Sequence, residues 1–485
     1  MNSFRIVARL SWCAVVAAGP ALATGVFRES TAAPPNVLFI IADDASCHFG
    51  CYGCSWVKTP HIDALAARGI VFAAAYAPTA KCAPCRAGLL TGRYPWQLEE
   101  AANHWCTFPP HFAAFTEALA AHGVRCGRQG KVWGPGVALG ADGRPRTWGL
   151  DNTPFRKFLA TSPADKPFFF WYGSHNPHRP YDRDAGATAG KKPADIDRVP
   201  AFWPDDEIVR RDMLDYATEI EAFDSEVGDL VAALRESGRL ENTLVVVTSD
   251  HGMPFPRMKG HTYELAHRVP LVASWPAGIV HPGRRCNRLV SLVDVAPTML
   301  EASGVPQDTA GLAPITGTSL VDVLCDEALH ERPFVLVGRE RNDVQCRPGT
   351  PSGLGYPARG IRQGRWLYVH NFAPDRWPCG DPDVALADTD DSPTKRLLER
   401  AGPDDRFWQL AFGKRPADEL YDVDADPDCI ANLAALPAHA ADLERLRGTL
   451  MAELRRLEDP RVVGDGDVFD RYVAPANPRP RQRAW

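Results

Sequence analysis

The segment 81-KCAPCRAGLLTG-92 sets Cys82 and Cys85 around a proline, with Arg86 next and Thr91-Gly92 at the close. Cysteines so spaced can shuttle electrons as a dithiol, clip a metal, staple a loop, or supply one thiol for conversion into another group. Two further places carry acids. Asp43-Asp44 follows the apolar run 36-NVLFIIA-42, and Asp250-His251 repeats the design after 243-TLVVVTS-249. Adjacent side chains of an extended strand point to opposite faces, so both acids reach one ion only where the chain bends on leaving the sheet, and Ala45-Ser46 permits that bend. Most acid pairs cap helices or sit in solvated turns, and neither pair is diagnostic alone. Together, three carboxylates and an imidazole at one edge suit a hard divalent cation, Ca²⁺ or Mg²⁺, while the nitrogen leaves Mn²⁺ or Zn²⁺ open. Without a cation, carboxylates that close would raise one another's pKa.

The elements that must position these residues alternate. Both apolar runs read as buried strands that stop at acids, as central strands do where they meet a functional loop. Residues 59–69 read as a helix, with Thr59 as N-cap, Pro60 at the first helical position and Gly69 as stop. A strand over 167–173 leads to a His-rich loop, and an amphipathic helix runs from about Asp205 to Ser237, with Leu214, Ile220, Phe223, Val227, Leu230 and Leu234 at helical spacing. Strands follow at 269–275 and 289–294, then a helix near 296–303. This alternation implies an α/β fold, a large doubly wound and mostly parallel sheet flanked by helices, with chemistry outside the carboxyl ends of its strands. From about Pro333 the texture changes to short strands such as 366–372 and a turn-rich 420–428. The expected organisation is a catalytic domain over 34–330 and a smaller C-terminal α+β subdomain over 331–485 that completes the substrate pocket.

The chain has 485 residues, 45% hydrophobic and 24% charged, with a net charge of −6. That composition fits an ordinary globular protein and offers no basic stripe for duplex DNA, so nucleic acid is not expected as a partner. Arg5 and Arg9 precede an apolar stretch ending in Ala21-Leu22-Ala23, which reads as a signal peptide over 1–23 cleaved near Ala23. The run is shorter than a membrane span needs, so a secreted or periplasmic protein without stable membrane insertion is expected. Of 13 cysteines, Cys13 leaves with the signal, and some of the remaining twelve should pair in that compartment. Cys51 and Cys54 lack a second pair at zinc-finger spacing and read better as a loop staple.

Cys82-x-Pro84-x-Arg86 followed by Leu89-Leu90-Thr91-Gly92 resembles the signature of the type I sulfatases, the formylglycine-dependent branch of the alkaline-phosphatase superfamily. The likeness continues in order through Asp43-Asp44, Gly130-Lys131, His175 and His178, Asp250-His251-Gly252, Lys259-Gly260, Val293-Asp294 and Glu419-Leu420-Tyr421-Asp422. It implies that a formylglycine-generating enzyme converts Cys82 to an aldehyde, whose hydrate attacks sulfur with one hydroxyl and expels sulfate through the other. It also implies that Asp43, Asp44, Asp250 and His251 hold the cation, with Ca²⁺ favoured and Mg²⁺ or Mn²⁺ as alternatives. Arg86 would brace residue 82 and the metal site, Lys131 and Lys259 would neutralise sulfate oxygens, and Lys259 or His175 would protonate the leaving group.

Three positions depart from the family pattern. Cys85 stands where serine is commonest, Trp133 where many relatives carry a histidine, and His251 where asparagine is frequent. A thiol at 85 raises the prospect of a disulfide with Cys82. His178, Arg179, Arg341 and Arg359, with their surrounding segments, resemble the heparan N-sulfatase branch and are expected to contact a sulfated glycan. Two other functions share these residues. A phosphodiesterase or phosphonate hydrolase of the superfamily would use the same metal ligands, and a glycan-binding pseudo-enzyme would keep Cys82 as a thiol.

Overall fold

The computed structural model describes residues 34–325 and 332–475; the expected signal peptide lies outside them. Strands β1 (Asn36–Ala42), β2 (Ile70–Tyr76), β3 (Arg125–Gly130), β4 (Phe168–Gly173), β5 (Thr243–Ser249), β6 (Leu271–Ser274) and β7 (Arg284–Ser291) form the body of a nine-stranded sheet in the order β7-β2-β6-β5-β1-β4-β3. Two-residue strands beside β3 and β2 complete it. β1 lies parallel to both β4 and β5, and β3 is parallel to β4. β6 runs antiparallel between β5 and β2. The sheet is therefore mixed but mostly parallel, as the alternation of elements predicts.

Central strands of such a sheet are covered on both faces and read as continuous apolar runs. Val37, Phe39 and Ile41 of β1 enter one core, while Leu38, Ile40 and Ala42 enter the other. Five helices matter here: α1 (Pro60–Ala66), α2 (Cys82–Thr91), α3 (Glu207–Glu236), α4 (Val295–Ala302) and α5 (Ala440–Arg456). α3 buries Leu214, Ile220, Phe223, Val227, Leu230 and Leu234 along one stripe, and its N-cap Asp206 accepts from the backbone N–H of Ile208. α2 is buried at every position, so it lies inside the body of the protein.

A second, antiparallel sheet joins β8 (Val335–Arg339), β9 (Ala358–Gln363), β10 (Trp366–Asn371) and β11 (Asp418–Asp422) in sequential order. α5 lays Leu443, Leu446, Leu450 and Leu454 on it, at the i, i+3, i+7 spacing of a helix face. Two expectations change. The strand placed at 289–294 starts earlier, at Arg284, and gives way after Ser291 to a single 3₁₀ turn, Leu292–Asp294. Asp294 accepts there from the N–H of Ser291, which closes the turn and stops the strand. No staple joins Cys51 to Cys54; both are free thiols.

Because β1, β3, β4 and β5 share a direction, their carboxyl ends form one rim. Asp43, Lys131, the 175–178 loop and Asp250 follow those four ends directly. No helix among the described residues is long and apolar enough to cross a membrane.

Candidate active site

Asp43 and Asp44 leave β1 where the chain turns, and the turn is made at Asp44 itself, which has φ 78°. Left-handed backbone is costly for most side chains and tolerated best by Asn and Asp. The Asp44 N–H donates to Asp250 Oδ1 at 3.0 Å, the Ala45 N–H to Ser249 Oγ at 2.7 Å, and the Asp43 N–H to the carbonyl of Asn176 at 3.0 Å. These bonds tie the ends of β1 and β5 and the His-rich loop into one frame.

Within it, ligand atoms of Asp44, Cys82, Asp250 and His251 lie within 4.8 Å of one another, all buried. Asp43 joins Cys82 and His178 in an overlapping group, and Asp44 joins His178 and Asp390 in a third. The donor chemistry suits a cation. His251 Nδ1 lies 3.0 Å from the carbonyl of Gly252, which can only accept, so Nδ1 carries a proton and Nε2 is the nitrogen whose lone pair a cation would take. That nitrogen faces Asp44 Oδ1 at 3.1 Å and Asp250 Oδ1 at 3.8 Å. A buried nitrogen lone pair and two carboxylate oxygens turned on one another call for a positive charge between them.

Arg86 sits one turn into α2 and is wholly buried. Its Nε donates to Asp250 Oδ2 at 2.8 Å and its Nη2 to Asp43 Oδ1 at 3.1 Å. The remaining donors reach the carbonyls of Ala42, Lys131 and Val132. Lys131 Nζ meets both oxygens of Asp43, at 2.8 and 2.6 Å. Lys259 Nζ bridges Asp44 Oδ2 at 2.6 Å and Asp390 Oδ2 at 2.7 Å. Burial alone would raise the Asp43 carboxyl, but Lys131 and Arg86 outweigh it and hold that group well below the usual carboxylate range. Burial opposes the charge of Lys259 too, yet Asp390 and Asp44 keep its ammonium firmly protonated.

Cys82 opens α2, with Sγ 3.4 Å from His251 Nε2 and 3.8 Å from Asp44 Oδ1. Burial pushes its thiol well above the ordinary range, more than Lys131 and Lys259 can offset. As a thiol it is therefore a weak nucleophile at neutral pH. The Cys85 thiol is spent elsewhere, donating to the carbonyl of Asp250 at 2.8 Å.

Not every expected residue arrives. His175 is exposed and its ring takes no part in the cluster. The 175–178 turn, closed by His178 N–H to the carbonyl of His175 at 2.9 Å, brings His178 inward, with Nε2 3.9 Å from Asp44 Oδ2. Arg179 pairs with Asp212 at 2.8 Å and lies between the rings of Tyr181 and Phe255. Arg341 and Arg359 do not reach the site. Arg359 is fully buried, held by Asp459 at 2.7 Å and Glu340 at 2.8 Å, and Arg341 donates to the carbonyl of Tyr472 at 2.7 Å. Both guanidiniums fasten the second sheet to the C-terminal segment. Trp133 packs edge-on against Phe108, ring centroids 5.5 Å apart. Sequence reasoning missed Asp390, which comes from the long connection between β10 and β11; the acidic run 388-DTDD-391 is its only signal.

A family model for sulfatases matches residues 35–305, which span the whole rim from β1 to α4. The chain belongs to the sulfatase family. Human N-sulphoglucosamine sulphohydrolase is 30% identical to it, covering 92% of this chain and 94% of its own. An ulvan-active sulfatase of Formosa agariphila is 28% identical over 85% of this chain and 78% of its own. Among solved structures, a protein in complex with its substrate D-glucosamine-2-N,6-O-disulfate superposes with a TM-score of 0.62 at 20% identity, covering 89% of this chain and 100% of its own. This sulfatase is accordingly a hydrolase, and its fold is alkaline-phosphatase-like.

Proposed function

We propose that this sulfatase releases sulfate from a sulfated glycan, with the N-sulfate of a heparan-type N-sulfoglucosamine favoured, after export and after Cys82 has become formylglycine. The observation that carries the reading is the convergence on residue 82 of Asp44, Asp250 and His251, flanked by Lys131, Lys259 and His178. The substrate class is supported by the similarity to N-sulphoglucosamine sulphohydrolase over nearly the whole chain.

Asp44, Asp250 and His251, with Asp43 beside them, would hold a divalent cation, and the oxygen-rich set favours Ca²⁺. Such a cation supplies charge neutralisation at the sulfate oxygens. An aldehyde at residue 82 supplies, once hydrated, the hydroxyl nucleophile that a firmly protonated thiol does not. The chain's own residues do the rest. Arg86 fixes the orientation of Asp43 and Asp250, and the ammoniums of Lys131 and Lys259 stand ready for a second anion in a water-poor pocket. His178 has Nδ1 2.5 Å from the carbonyl of Arg179, which orients Nε2 toward the acids; with both nitrogens protonated the ring would hand its Nε2 proton to the departing atom and revert to the Nδ1–H form. Residues 331–485 complete the pocket through Asp390.

The test is co-expression with a formylglycine-generating enzyme, mass analysis of the peptide containing residue 82, and sulfate release from N-sulfoglucosamine, O-sulfated sugars and a phosphodiester. An aldehyde at 82 together with sulfate release is the expected result. Full activity with an unconverted thiol, or an aldehyde-bearing protein acting only on the phosphodiester, overturns the proposal.

A further inference from the structure

Asp390 has no part in holding the cation as described above, yet it stands against the group expected to meet the leaving atom. One carboxylate oxygen, Oδ2, accepts a hydrogen bond from Lys259 Nζ at 2.7 Å. Its ligand atoms come within 4.8 Å of those of His178 and Asp44. The residue is only part-buried, its side chain 21% exposed, and Oδ1 accepts no hydrogen bond from the described residues and is not sealed from solvent. Burial would raise this carboxyl, but Lys259 and Lys81 outweigh it and keep it well below the ordinary range. An ionised carboxylate thus offers lone pairs, and nothing else, on the side of the site where Lys259 and His178 lie.

That matters because the two sulfate linkages differ at the bridging atom. In a sulfamate the bridge is an N–H, a donor; in a sulfate ester it is an oxygen carrying only lone pairs. A fixed acceptor satisfies the first and faces the second with like-signed density. The leaving products differ in the same sense: R–NH–SO₃⁻ with water gives R–NH₃⁺ and SO₄²⁻, so charge-bearing N–H groups accumulate on the departing nitrogen, whereas an alcohol gains none. A site built to pair a substrate N–H discriminates strongly against the analogue that lacks it, since its own acceptor is left unmatched.

We propose that Asp390 is a specificity-determining residue that accepts the sulfamate N–H and biases this site toward N-linked over O-linked sulfate. The inference rests on the N-sulfate reading above.

The experiment uses the matured, full-length enzyme with a matched pair of probes, N-phenylsulfamate and phenyl sulfate, and with N-sulfoglucosamine. Asp390→Asn keeps an oxygen for Lys259 but removes the charge, and the ratio of kcat/KM for sulfamate over ester is expected to fall about ten- to hundredfold, the range for a hydrogen bond to a charged group. Asp390→Glu, which restores the carboxylate, should recover most of that ratio. If the asparagine variant loses both activities by one factor, Asp390 only positions Lys259 and the inference fails alone. A wild-type enzyme inert toward N-sulfoglucosamine overturns the reading above and this inference with it.

Discussion

Replacing Arg86 with leucine removes a charge that two buried acids share. Arg86 is fully buried, Asp43 and Asp250 are at most 1% exposed, and its donors sit 2.8 and 3.1 Å from their oxygens. With charge centres roughly 4 Å apart and an effective dielectric near 20, each attraction is about 4 kcal/mol. The guanidinium's own dehydration offsets much of that. Removing one member of a buried ion pair costs about 3–5 kcal/mol, because the partner charge is stranded. That is the expected destabilisation of Arg86→Leu in metal-free buffer, read as a shift in the urea midpoint followed by tryptophan fluorescence. Arg86→Lys should lose less, since it keeps the charge, but not nothing, since one ammonium cannot reproduce a fork aimed at two carboxylates and three carbonyls. Added calcium should recover part of the deficit in both variants, because a cation among Asp44, Asp250 and His251 relieves the same surplus of negative charge. An Arg86→Leu protein within about 1 kcal/mol of wild type without metal would refute the account, since these carboxylates would then need no counter-charge.

Chelation should lower the thermal midpoint of the unsubstituted protein and calcium should restore it, by about 2.7 kcal/mol at a hundredfold excess over Kd; Asp250→Asn should be blind to both treatments. The His267 ring is buried, with Nδ1 2.8 Å from the carbonyl of Ala77 and Nε2 without a partner among the described residues, and burial lowers its pKa to about 4. The folded ring refuses a proton that the unfolded chain accepts below about pH 6.5, so its effect on stability is nil above that pH. Stability then falls by about 1 kcal/mol on going from pH 6.5 to 5.5 and levels near pH 4; His267→Gln should flatten that part of the urea-midpoint profile. A Cβ added at Gly173 would lie 1.7 Å from the carbonyl oxygen of Lys131, so Gly173→Ala should push the Lys131 backbone outward and reduce kcat by about tenfold or more, with secondary structure unchanged by circular dichroism.

Strands β1 and β5 were legible in the sequence because a strand covered on both faces leaves an unbroken apolar run, and the acids after them stood out by contrast. Residue 82 and the lysines were legible only through the ordered series of motifs that resembles the type I sulfatases, since neither Cys82 nor Lys259 directly follows a strand. β3 was invisible. Its residues, 125-RCGRQG-130, are polar and glycine-rich, and they form a strand only because β4 offers a ladder and Gly127 lets the Phe158 ring lie close. β2 hid behind Ala73, Ala74 and Ala75, weak strand formers that are chosen by packing. Which of His175 and His178 turns inward depends on a four-residue turn, and no spacing rule encodes that direction. Arg341 and Arg359 misled for a related cause, since a guanidinium suited to a sugar acid is equally suited to a buried aspartate. Asp390 comes from a connection whose course is fixed by long-range contacts.

Only 1% of the Cys82 surface meets solvent, and every residue of the helix it begins is enclosed. On the function proposed here, a maturing enzyme could not draw a thiol so enclosed out of a finished molecule. The conversion would have to occur on a chain still open, and folding would close the window behind it, so a polypeptide that collapsed too early would stay well formed and permanently silent.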